Sequence, residues 1–216
     1  MLQYAFSYWR GILKDINSSS KLVHGIGVKG MVYPARVLGK DLLEYRLWGR
    51  MLERCNSKYW TKYPTYLEAS TSTNFNYYPY FYEWCHAQIG FGNKDEGGKS
   101  WHLDKDLLVK GNKLYSEDTC VFVPHRINCL LTNSRAKRGS LPVGVCLRKR
   151  NNKFYSSCGN GVVKAFLGDF DTAQEAFLAY KTYKESLIKQ VAEQYKHQLD
   201  PRAYEALLNY TVEITD

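Results

Sequence analysis

The sequence has no Cys-x-x-Cys pair, and no apolar run that approaches the roughly 20 residues a membrane span requires. Its six cysteines (Cys55, Cys85, Cys120, Cys129, Cys146 and Cys158) stand singly. That spacing argues against a structural zinc site. With no export leader visible, it also argues for reduced, mostly packed thiols. The start, MLQYAFSYWRGILKDINSSS, puts its basic residues after the apolar ones and shows no small-residue cleavage site. A cytoplasmic protein with no membrane partner is the expectation. One further absence is local: no Asp or Glu occurs from Ser134 to Gly168.

What is present points to an acidic partner. The 216 residues carry a formal net charge of +9, so nucleic acid is expected first and an anionic membrane second. An apolar fraction of 44% suits a globular core, and the length allows an ordinary domain with a small second one, or two small ones. Aromatic residues are abundant at 15%, with 18 tyrosines. Their densest stretch, residues 59 to 91, could stack bases, but it is read as core whose hydroxyls settle at its edge.

Residues 1–38 have no assigned role. They contain GIGVKG (Gly25, Gly27, Gly30), which matches the dinucleotide fingerprint letter for letter. Pro34 stands where the phosphate-binding helix should be, so the segment is read as a glycine turn. Residues 39–56 repeat Leu42, Leu43, Leu47, Trp48 and Met51 at helical spacing. GFGNKDEGGKS then reads as an exposed loop.

Next comes a stretch read as a strand from Trp101 to Val109. There His102, Asp104 and Asp106 alternate and would share one face. An imidazole and two carboxylates in a row suit a metal-dependent nuclease centre. They equally suit a solvated strand of a DNA-binding protein. A turn at Gly111–Asn112 and a short helix capped by Ser116 are expected to follow.

Beyond a boundary near residues 132–142, three short strands are expected, split at Asn151–Asn152 and Gly159–Asn160–Gly161. A long helix follows, opened by a Thr172/Glu175 capping box and striped by Ala176, Phe177, Tyr180, Tyr183, Leu187, Val191 and Tyr195. A last helix starts with Asp200 and Pro201. The acid-free window holds Arg135, Lys137, Arg138, Arg148, Lys149, Arg150, Lys153 and Lys164. Most of the positive charge therefore sits on the linker and the three strands. A basic sheet backed by a helix can enter a major groove. Arg148 and Arg150 are the candidates for guanine edges, and Tyr155 for stacking or a phosphate contact.

WHLDKDLLVKGNKLYSEDTCVFVPHRIN, followed by PVGVCLRKRNNKFYSSCGN and FLGDFDTAQEAFLAYKTYKE, resembles phage and prophage HNH-type homing endonucleases that end in an AP2-like DNA-binding module. The resemblance covers roughly residues 40 to 216. It implies an α+β protein: a degenerate ββα-metal (HNH-like) core at residues 39–131, then an AP2-like three-stranded sheet packed on one helix at 132–216. The implied activity is site-specific, metal-dependent nicking or cutting of double-stranded DNA by a monomer with no obligate protein partner. The alternative is a catalytically inactive DNA-binding protein or regulator. Carried onto this chain, His102 is the general base. Asp104 and Asp106, with Asn112 less well placed, would hold Mg²⁺ or Mn²⁺. Lys137, Arg138, Arg148, Lys149, Arg150, Lys153, Tyr155 and Lys164 would contact DNA. Two departures stand out. Trp101 occupies the position before the base, where the pattern has Asp or His. The asparagine of the short helix is also missing near Thr119 and Cys120. A second register sets Leu-Asp-Lys-Asp (103–106) against a Leu-Asp-His-Asp pattern, with Asp104 as ligand and Lys105 in place of the base.

Overall fold

The structure is a computed structural model that describes residues 21–132, 140–159 and 164–216. Lys137 and Arg138 lie outside the described residues. The chain clusters into two compact units, residues 1–83 and 84–216. In the second unit the segment around Trp101 and His125–Leu131 packs with the long helix Ala173–Tyr195. The chain is a mixed α+β structure. Among the described residues no helix is long and apolar enough to cross a membrane.

In the first unit, a β1–β2 hairpin (Arg36–Val37, Lys40–Asp41) precedes helix α1 (Leu43–Arg54). Short helix α2 (Ser57–Lys62) and strand β3 (Ser70–Thr71) follow, and then helix α3 opens at Tyr78 and runs to Ala87. The apolar stripe of α1 buries Trp48, Met51 and Leu52 with Phe75, Tyr78 and Phe81. The Trp48 indole donates to the Phe75 carbonyl at 2.8 Å. The aromatic stretch is core from Phe75 onward, whereas Tyr59, Tyr63 and Tyr66 cluster among themselves nearer solvent. No helix follows GIGVKG. Its glycines have local reasons instead: a Cβ on Gly27 would lie 2.2 Å from Leu52 Cδ1, and the backbone at Gly25 and Gly30 takes φ of +83° and +62°.

In the second unit, β4 (His102–Asp104) pairs antiparallel with β6 (Val121–Val123), setting His102 opposite Val123 and Asp104 opposite Val121. Between them lies the short strand β5 (Leu114–Tyr115), and after them helix α4 (His125–Leu131). The strand expected from Trp101 to Val109 is thus cut to three residues. Asp104 ends it by accepting the backbone amides of Asp106 and Leu107 at 2.9 and 2.8 Å, the turn an Asx side chain makes. The helix expected at Ser116 is a turn, closed by Thr119 and Cys120 amides on the Ser116 carbonyl.

Strands β7 (Val145–Arg148), β8 (Lys153–Gly159) and β9 (Lys164–Phe170) form one antiparallel sheet in that order. Helix α5 (Ala173–Tyr195) lies across it, opened by the reciprocal Thr172/Glu175 box. Its buried stripe includes Lys184 and Ile188 beside the expected apolar residues, while Tyr183 is half-buried. Tyr180 packs over Gly144, whose φ is +75° and where a Cβ would lie 2.0 Å from the ring. Helix α6 (Pro201–Leu208) opens on the Asp200 cap and adds Ala203 and Leu207 to the core.

Candidate nuclease centre and nucleic-acid interface

Strand–strand–helix order is set by a short run of sequence. Val121, Phe122 and Val123 are all buried, and Pro124 then turns the chain into α4. Ile127 and Leu130 bury one side of α4, so His125 and Cys129, four residues apart, share another. His125 is thereby brought to His102. Their rings lie 4.8 Å apart, and Nδ1 of His125 is 3.3 Å from Nε2 of His102. The contact needs a proton on one of these nitrogens and a lone pair on the other. Cys129 Sγ lies 3.4 Å from His125 Nε2. Asn128, half-buried, follows His125 by three residues. Arg126 reaches across to α5, where it donates to Gln194 at 2.8 Å.

Trp101, which stands where the family pattern has a ligand, is core. It is 4% exposed, edge-on to Tyr195 of α5, and packed against Gly90, where a Cβ would come within 2.5 Å of its ring. Thr119 and Cys120, where the asparagine of the resemblance was found missing, lie in the turn before β6. The helix after the second strand begins at His125, and Asn128 lies within it.

The three oxygen donors expected to hold a metal are engaged in a loop. Asp104 is buried, and that burial pushes its carboxyl up to about 6. The charge of Asp106 adds to the rise, while the amides of Leu107 and Asp106 oppose it. Lys105 is also buried. Its ammonium donates to Asp106 Oδ2 at 3.1 Å and to the Asn112 carbonyl at 2.8 Å, 5.8 Å from the centre of the Tyr115 ring. The Asn112 side chain braces the backbone: its amide donates to the Lys105 and Leu114 carbonyls, and its oxygen accepts from Leu114. So the fold brings Asp104 and Asp106 together and turns Asn112 away to the chain. His102 belongs to a different cluster, with His125. Among the described residues no group of three or more His, Cys, Asp or Glu side chains is arranged to hold a metal ion. As arranged, Asp104 is committed to backbone amides and Asp106 to Lys105, whose ammonium supplies positive charge beside it.

The candidate DNA-contacting residues gather on the sheet face turned away from α5. Register places Cys146 opposite Tyr155 and Tyr155 opposite Asp169, with Arg148 opposite Lys153. The register slips between Ser156 and Ser157, so that Ser157 faces Phe166 and Leu167 is the extra residue. This bulge turns Phe166 outward, 60% exposed, with its ring 6.4 Å from Tyr155. Sequence reasoning missed Phe166 because strict alternation from Asp169 would turn it toward the helix. Lys149 and Arg150 are exposed in the β7–β8 turn, and Lys164 is exposed at the start of β9. Arg148 lies 5.0 Å over the Tyr155 ring. Two of the cations already have partners: Arg148 pairs with Asp169 at 3.1 Å and Lys153 with Asp171 at 2.8 Å. The acid-free window ends just short of the two carboxylates that fold back onto it.

No protein-family model, curated protein or solved structure matches the chain.

Proposed function

We propose that this protein is a site-specific, DNA-binding endonuclease of the HNH homing type that nicks or cuts phosphodiester bonds. It would act as a cytoplasmic monomer, in a bacterial host if phage-encoded. The observation that carries the reading is the strand–strand–helix order around His102: β4 paired antiparallel with β6, then α4, with the histidine turned to the helix. In this reading His102 draws the proton from the attacking water. His125 fixes its ring, as the partner of a catalytic histidine does. The target duplex lies on the open face of β7–β9. Lys149, Arg150 and Lys164 meet phosphates there, Arg148 and Lys153 exchange their carboxylates for phosphate, and Tyr155 and Phe166 meet base edges. Lys137 and Arg138 extend the same basic run along the chain.

A second reading, a DNA-binding protein without catalysis, is favoured by the loop at Asp104. Carboxylates committed to backbone amides and to Lys105 are those of a scaffold. Cleavage of DNA carrying the gene's own flanking sequence, in Mg²⁺, Mn²⁺ or EDTA, separates the two. The endonuclease reading expects metal-dependent nicking that His102→Ala lowers about 100-fold or more while sparing binding. Tight binding with no cutting in either metal would leave the second reading. Equal cutting by His102→Ala would remove the histidine from the mechanism.

A further inference from the structure

Phe166 is 60% exposed on the open face of β7–β9, where Ser157 is its register partner and Tyr155 and Asp169 point the same way. The direction of its ring is built into the strand. Counting back from Asp169, alternation would turn Phe166 toward α5, and the extra residue Leu167 reverses that. Gly168, beside the bulge, takes a φ of +128°, a conformation that other residues rarely adopt. Bulges of this kind re-aim a side chain. What the ring can recognise follows from what it lacks. With no donor or acceptor, it reads none of the hydrogen-bonding pattern that a base pair shows in the major groove. The apolar group on that edge is the C5 methyl of thymine. Charge sets the orientation: Lys149, Arg150 and Lys164 are exposed around this face, so phosphates meet them and base edges meet Tyr155 and Phe166.

We propose that Phe166 determines specificity by packing on the C5 methyl of a thymine in the major groove, so that this face selects thymine at one position of its site. This contact rests on the reading of the β7–β9 face as the DNA-binding one, and it does not depend on cleavage. Tyr155 flanks the methyl: its ring lies 6.4 Å from that of Phe166 and carries the Arg148 guanidinium at 5.0 Å. The cations then supply affinity for any duplex, and the Phe166 ring supplies a preference among sequences.

The test uses two duplexes of the gene's own flanking sequence, one with thymine and one with uracil throughout, titrated in EDTA with the full-length chain. Uracil keeps the hydrogen-bonding groups of thymine and lacks only the methyl. The wild type should bind the uracil duplex about 4-fold more weakly for each methyl that Phe166 covers. Phe166→Ala should lose that factor, and Phe166→Leu should keep part of it. A preference that comes from DNA shape or from another residue survives in Phe166→Ala and cancels in the comparison. Because Phe166 is exposed, the alanine leaves the core intact. The same thymine-to-uracil ratio in the wild type and in Phe166→Ala would overturn the proposal. That holds also if the variant weakens both duplexes alike, as it would for a ring wedged between bases. Failure of the wild type to bind either duplex would remove the DNA reading itself, and this contact with it.

Discussion

Replacing Asp104 by Asn should stabilise this protein above about pH 6, although Asp104 is buried and fully hydrogen-bonded on one oxygen. The native fold holds the Asp104 carboxyl at about 6, raised first by burial and then by the charge of Asp106. The neutral acid is therefore favoured in the fold, and ionisation costs stability. That cost is absent below the ordinary aspartate value near 4, grows as pH rises toward 6, and is complete above it. A rise of roughly 2 units corresponds to about 3 kcal/mol at neutral pH. The asparagine keeps the same shape. Its oxygen can accept the amides of Asp106 and Leu107, and its amide nitrogen can donate to the neighbouring Asp106 carboxylate. Urea denaturation of both proteins from about pH 4 to about pH 8 reads the difference directly. The variant's gain should be near zero at the acid end and of order 2–3 kcal/mol at the alkaline end, with an unchanged denaturant slope. A variant that is less stable at neutral pH, or a gain that ignores pH, would refute the reasoning.

The other expectations are simpler to state. Asp169→Ala frees Arg148 from its ion pair, so it should tighten DNA binding and steepen its salt dependence by about one phosphate contact. Its effect on folding, measured by thermal melting, should stay within about 1 kcal/mol because the pair is more than one-third exposed on both sides. Trp101→Ala should cost about 3–5 kcal/mol in denaturant unfolding, since the ring fills the space between Gly90 and Tyr195. A ligand residue would show no such cost. Thr172→Ala removes the capping box of α5 and should cost about 1 kcal/mol by the same assay.

Elements that announce themselves locally were legible in the sequence. Thr172 and Glu175 mark the start of α5, and the Asp200–Pro201 pair marks that of α6. The three strands of the sheet follow from short apolar runs between Asn-rich and Gly-rich turns, and Asn152 indeed takes a φ of +58°. What failed was local pattern overruled by side-chain hydrogen bonding. His102, Asp104 and Asp106 alternate as a strand should, but the Asp104 carboxyl captures two amides and stops the strand before Asp106 can join that face. Contacts distant along the chain were out of reach for the same kind of reason. His125 meets His102 only because β6 returns antiparallel to β4, and Asp169 meets Arg148 only through the sheet register. The charge count from Ser134 to Gly168 could not show that Asp169 and Asp171, just past its edge, pair with Arg148 and Lys153. Phe166 was hidden by a bulge that no simple alternation foresees.

The measurement that bears most directly on the account is a titration of duplex DNA carrying the gene's own flanking sequence, repeated across a series of salt concentrations. With about five cations of the β7–β9 face on phosphates, log K should fall against log[salt] with a slope of roughly −4 to −5. Replacing Lys149 and Arg150 together by Ala should flatten that slope by about 2, one phosphate contact for each. A flat slope, or an affinity at physiological salt no better than about 10⁻⁴ to 10⁻⁶ M, would contradict DNA as the partner of this face.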